Sequence, residues 1–109
     1  MKNLLLVFSD PVPGGEEEYN EWYTATHLSE VAATPGFVAA QRFRFVSASG
    51  QEPSHGYLAI YEVDGDIEAA RAALAEGRQH RVRVPDAMAA ERASWWFTSV
   101  SARVTADSD

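Results

Sequence analysis

The sequence contains no cysteine. This excludes a disulfide scaffold, thiolate zinc sites and cysteine nucleophiles. Positive charge is scarce: 9 Lys and Arg stand against 16 Asp and Glu, giving a formal net charge of −7. A surface of that sign repels phosphate backbones, so nucleic acid is not an expected partner. Long apolar runs are also missing. Leu4–Phe8 is far too short to cross a membrane and lacks a signal peptide's cleavage pattern, so no membrane partner is expected and the expected location is cytoplasmic. No glycine-rich phosphate loop precedes a helix, because Gly14-Gly15 runs into the acids Glu16-Glu17-Glu18. No His pair has metal-ligand spacing, so no metal is expected. What is present is 46% apolar and 11% aromatic residues in a chain of 109. That composition argues for a packed core, and the length for one domain, drawn at 1–104 with a polar tail at 105–109.

Asn3–Ser9 is a short apolar run closed by Asp10-Pro-Val-Pro-Gly-Gly15 and reads as a buried strand. Tyr19, Trp22, Tyr23, His27 and Val31 recur at helical spacing. The three acids before them suit the positive end of a helix dipole, and Thr34-Pro35-Gly36 stops the helix. Phe37–Val46 reads as a second strand, with Phe37, Ala39, Gln41, Phe43 and Phe45 on one face and Val38, Ala40, Arg42, Arg44 and Val46 on the other. A Ser/Gly/Pro-rich loop leads to a third strand, Tyr57–Val63, antiparallel to the second. Asp66 is the expected N-cap of a helix over 67–76, stopped at Gly77. Pro85-Asp86 is expected to open a short helix through Ala93, and Trp95–Val104 to form the last strand.

The order β-α-β-β-α-β predicts an α+β, ferredoxin-like βαββαβ fold with a four-stranded antiparallel sheet. Two helices cover one face of such a sheet. Yet Leu4–Phe8, Tyr57–Val63 and Trp95–Val100 are apolar on both alternations. A homodimer packed sheet to sheet, closing an α+β barrel, satisfies both faces and is expected to supply the cavity.

Pro13-Gly14, Glu18, Tyr19, Trp22-Tyr23, His27-Leu28, Pro35-Gly36-Phe37 and Arg42-Phe43 together resemble the dimeric α+β barrel superfamily, in particular its EthD-like branch. Tyr57–Glu62 continues the likeness along the third strand. The resemblance implies two ferredoxin-like protomers around a barrel-like cavity. Its members include cofactor-free cyclases, isomerases and monooxygenases, haem-binding peroxidases, and proteins of unknown role. It also places His27 on the family's recurrent histidine.

Several residues can carry chemistry. His27 shares a helix stripe with Tyr23 and Tyr19, and lies toward the helix C-terminus, where the dipole favours its protonated form. It reads either as a general acid/base with Tyr23 beside it, or as a cap under the core. Trp22 and Tyr23 point about 100° apart, so one packs in the core while the other reaches the cavity or its rim. Arg42 and Arg44 either hold a substrate carboxylate or enolate, or guard an edge strand. Tyr57, Tyr61 and Trp96 suit a flat, oxygenated ligand, and they also suit an ordinary dimer core. His80, in the basic island Arg78–Arg83, is a substrate-binding candidate or a solvated loop residue. His55 is expected to be exposed in its loop. His27 or His80 could serve as an axial ligand, but nothing else in the chain points to haem, and no cofactor is expected.

The leading expectation is a small cofactor-free enzyme that performs cyclisation, isomerisation or dehydration (lyase) chemistry on a hydrophobic, oxygenated, aromatic or polyketide-like molecule. The alternatives are a non-catalytic small-molecule-binding or accessory protein and a cofactor-free monooxygenase. The acidic whole does not exclude an anionic ligand, because Arg42, Arg44 and the 78–83 island make local positive sites.

Overall fold

The chain is described by a computed structural model over residues 2–106. Positions 107–109 of the expected tail lie outside the described residues. The four strands are β1 (Asn3–Ser9), β2 (Phe37–Arg44), β3 (Tyr57–Val63) and β4 (Ala93–Thr98), and the sheet order is β2-β3-β1-β4. Every neighbouring pair is antiparallel. Between β1 and β2 run α1 (Glu16–Trp22), a π-helical turn (Tyr23–His27) and α2 (Leu28–Ala32). Helical dihedrals persist across both junctions, so these form one rod with a widened middle. Between β3 and β4 lie α3 (Ile67–Gly77), a 3₁₀ turn (Arg78–His80) and an irregular segment. This is the expected ferredoxin-like α+β architecture.

Local signals explain most boundaries. Glu16, Glu17 and Glu18 fill the first turn of α1, where they face the positive dipole end. Gly15 precedes them where a Cβ would stand 2.9 Å from Val12 Cγ2 and 3.1 Å from the Ala87 carbonyl oxygen. Gly36 turns the chain into β2 at φ +94°, a conformation that side chains disfavour. The Asp66 carboxylate accepts from the Ala69 N–H at 3.1 Å, as expected of the cap of α3.

Three expectations are corrected. First, β2 carries a bulge. Phe37 pairs with Val63 and Ala39 with Glu62, leaving Val38 as the extra residue. The bulge inverts the alternation, so Phe37 shares the helix-facing side with Ala40 and Arg42, not with Ala39, Gln41 and Phe43. The strand also ends at Arg44, short of Val46. Second, no helix forms over 85–93. The backbone there is committed elsewhere: Val12 N–H donates to Ala87 O at 2.7 Å and Ala89 N–H to Asp10 O at 2.9 Å. Third, β4 spans Ala93–Thr98, not Trp95–Val104. Its pairing runs from Phe8↔Ala93 to Asn3↔Thr98, and beyond that β1 has no strand residue left to pair.

The core lies between the sheet and the helices. Leu5, Ala59, Tyr61, Val63 and Phe37 come from the sheet; Tyr19, Tyr23, Val31 and Ala70 come from the helices. Tyr19 is fully buried, and its hydroxyl shares a hydrogen bond with Ser9 Oγ. Among the described residues no layer covers the opposite sheet face. Its cross-strand rows are Gln41–Ile60–Leu6–Trp95 and Phe43–Leu58–Phe8–Ala93, with Leu4 and Phe97 adjoining. Among the described residues no helix is long and apolar enough to cross a membrane.

Candidate active site

The π turn positions the central histidine. Leu28 N–H donates to Tyr23 O, the i→i+5 bond that defines the widened turn. A regular helix would place Trp22 and His27 about 140° apart. Here the His27 ring stacks on Trp22 at 4.5 Å with a 19° interplanar angle, and meets Tyr23 edge-on at 5.0 Å. Tyr23 is the ring that packs in the core, while Trp22 stays half-buried and backs the histidine. The indole Nε1 of Trp22 is buried without a hydrogen-bond partner among the described residues.

His27, Tyr23, Tyr61 and Trp96 line a half-open cavity of about 440 Å³ between the sheet and the helices. One chain forms this cavity on the helix-facing side of its sheet, which corrects the expectation that a dimer would have to supply it. Tyr23 and Tyr61 face each other with their hydroxyl oxygens 3.3 Å apart. Burial raises the pKa of both above the ordinary phenol value, so both are neutral hydrogen-bonding groups at neutral pH.

His27 departs from its dipole-based expectation. Its pKa is lowered from 6.5 to about 4, first by burial and then by the positive charge of Arg81. Glu30 opposes the shift, with Oε1 4.0 Å from His27 Nδ1, but does not overcome burial. Five residues of helix follow His27, so the dipole end is more than a turn away. The imidazole is therefore neutral at pH 7, and its Nδ1 is buried without a hydrogen-bond partner among the described residues. A neutral imidazole in a cavity wall can accept a proton from a ligand.

The remaining candidates separate. Arg42 points toward the helices, not outward as an edge guard. Its guanidinium carbon lies 4.5 Å from the Tyr23 ring centre, 5.2 Å from Tyr19 and 5.4 Å from Tyr57. Nη1 donates to Thr24 Oγ1 at 2.8 Å. Arg42 and Tyr57 instead border a shallow surface depression with Asn20, Phe43 and Arg44, outside the main cavity. His80 is exposed on the 3₁₀ turn and is not in the cavity wall, because that turn directs Arg78 and not His80 to the cavity. His55 is buried, not exposed as expected: Ser54 Oγ lies 2.8 Å from its Nδ1 and Phe8 flanks its ring. Among the described residues no three His, Asp or Glu side chains gather into a metal-binding group.

The wall also contains residues that had not been singled out: Arg71, Leu74 and Arg92. Arg71, Leu74, Ala75 and Arg78 fall at i, i+3, i+4 and i+7 along α3 and into the 3₁₀ turn that follows it, a spacing readable in the sequence. No local signal marks Arg92. It reaches the cavity because the irregular segment leads back into β4.

Comparison with family models finds no match, and none is found among curated proteins. Solved structures do match. A provisionally assigned monooxygenase from Shewanella loihica PV-4 superposes with TM-score 0.64 at 12% identity, covering 93% of this chain and 96% of that one. An ethyl tert-butyl ether D (EthD) family protein from Bacillus halodurans C-125 gives 0.59 at 14%, covering 92% and 99%. SnoaB, a cofactor-independent oxygenase from Streptomyces nogalater, gives 0.56 at 16%, covering 93% and 95%. The fold is thus the ferredoxin-like α+β fold that these three structures share. At these identities the likeness establishes fold and not reaction.

Proposed function

We propose that this chain is a cofactor-independent enzyme that takes a proton from a hydrophobic, oxygenated ring compound, a phenol or an enolisable ketone. The observation that carries this reading is His27: a neutral imidazole in the wall of a cavity, edge-on to the Tyr23 ring. His27 acts as the base. Tyr23 and Tyr61 donate hydrogen bonds to the substrate oxygen on which charge develops. Trp22 holds the imidazole plane, and Trp96 supplies an aromatic wall. A histidine whose conjugate acid titrates near 4 is a weak base before substrate binds. An enolate or phenolate forming beside it favours the imidazolium and strengthens the base during transfer.

The anion has two fates. It can attack within its own molecule or be reprotonated elsewhere, giving cyclisation, isomerisation or dehydration. It can instead react with dioxygen, a reading supported by the S. nogalater oxygenase of the same fold. For an anthrone this second fate consumes one O₂, leaving one oxygen atom in the quinone and the other in water. Anthrone turnover followed with an oxygen electrode separates the two fates. In either case His27→Asn, checked for folding by circular dichroism, is expected to lose about 10²–10⁴-fold in kcat/KM. A folded variant with full activity overturns the assignment. Ligand protection without turnover by the wild type across phenolic and polyketide compounds would instead support a non-catalytic binding protein.

We further propose that residues 1–104 work as one domain in a homodimer, with the uncovered apolar sheet face as the interface.

A further inference from the structure

Five of the chain's nine Lys and Arg residues line one cavity: Arg71, Arg78, Arg81, Arg83 and Arg92. No Asp or Glu stands in that wall among the described residues. In a protein of net charge −7, this gathers most of the positive charge at a single opening. We infer that the cavity selects an anionic ring compound, an aromatic acid whose carboxylate is held by the arginines at the mouth while its rings lie along Tyr23, Tyr61 and Trp96. The inference rests on the proposed use of this cavity for an oxygenated ring compound and narrows its substrate class.

Arg78, Arg83 and Arg92 make no ion pair among the described residues. Arg71 has a long contact to Glu68 at 3.8 Å and lies over the Trp96 ring at 5.6 Å. Arg81 is oriented by donating from Nη2 to the Leu74 carbonyl at 2.9 Å. A guanidinium fixed by one such bond still has donors free for a carboxylate. The nearby acid, Glu30, accepts from the Val82 backbone N–H at 2.9 Å and thus ties down the arginine segment without entering the wall. The positive field reaches the interior, since Arg81 and Arg92 both disfavour protonation of His27. Like charges left facing one another are destabilising, and a bound anion relieves that repulsion while gaining charge-assisted hydrogen bonds. The volume, about 440 Å³, lies in the range of small-molecule sites.

The test compares an anthraquinone carboxylate with its neutral carboxamide by isothermal titration calorimetry on the full chain. The carboxylate is expected to bind about tenfold tighter or more, one charge-assisted contact being worth at least that ratio. The advantage should shrink as salt rises from about 20 to about 300 mM, because partly exposed charges are screened. The double variant R78Q/R92Q alters exposed side chains and should bring the two affinities together. Equal binding of both probes to the wild type overturns this inference and leaves the base assignment of His27 standing. A carboxylate preference that survives undiminished in R78Q/R92Q and in high salt also overturns it. If neither probe binds, the inference fails together with the use of the cavity for ring compounds.

Discussion

At the scale of single residues, His27 concentrates the chemistry and makes it pH-dependent in a definite direction. Its pKa is about 4 in the folded chain, against 6.5 for the unperturbed group. Between those values the unfolded state holds a proton that the folded state does not. Stability contributed by the neutral imidazole is therefore complete above about pH 6.5 and is lost as pH falls toward 4. Urea unfolding at pH 7 and pH 4 should show wild type losing roughly 1–3 kcal/mol more than His27→Asn over that span. Parallel losses in the two proteins would mean that the ring titrates as it does in water. The same displacement sets the rate profile. The acid limb of kcat/KM should fall near pH 4, since the free enzyme keeps its base deprotonated down to that value. The arginines contribute to this: an anionic ligand between them and the ring offsets their repulsion of the imidazolium, so the acid limb of kcat, which reports the ligand-bound enzyme, should lie above that of kcat/KM.

At the scale of elements, what was legible in the sequence is what local chemistry decides. Tyr57–Val63 is a strand with the expected faces because strict alternation fixes them. The start of α3 was legible because a carboxylate one residue before an apolar-periodic run satisfies a free backbone donor. Asp66→Ala should accordingly cost about 1 kcal/mol in chemical denaturation, and Asp66→Ser should recover most of it. Equal stability of all three proteins would show that packing alone holds the helix start. The bulge at Val38 was not legible, because it is a mismatch in length between β2 and its partner. Nor was the π turn, although the spacing of Tyr19, Tyr23 and His27 did place these rings together. The helix expected over 85–93 failed because its backbone groups bond residues 10–12, a choice made by tertiary contact. That same irregular course carries Arg81, Arg83 and Arg92 to the cavity. The basic island was visible as a composition, but its destination was not. Tyr57 and His80 were reasonable candidates by residue type. Their removal from the main cavity follows from which side of an element faces inward, information that lies in packing.

At the scale of the whole molecule, the exposed surface is larger than that of a typical compact chain of this mass. It amounts to 7645 Å², whereas a monomer of 12.0 kDa is expected to expose about 6,000 Å². The loop after β2 and residues 99–106 account for part of the surplus, and the uncovered sheet face for another part. On that face Phe43 is 43% exposed, and Trp95 and Phe97 are each 50% exposed. The surplus exceeds the roughly 800 Å² that one partner buries in a standard interface. A second copy is the simplest cover, because a two-fold axis matches the apolar rows with themselves and closes without further growth. Light scattering at micromolar concentration should then give twice the 12.0 kDa chain mass. W95E/F97E places each new charge twice across such an axis, in the middle of an apolar contact. It should reduce the mass to that of one chain while far-ultraviolet circular dichroism stays unchanged, since both side chains point away from the helix-facing core. The cavity lies on the other side of the sheet, so carboxylate binding should persist in the monomeric variant. A wild-type monomer would assign the face to some other partner. Loss of binding together with loss of the dimer would mean that the partner subunit completes a cavity that one chain already outlines.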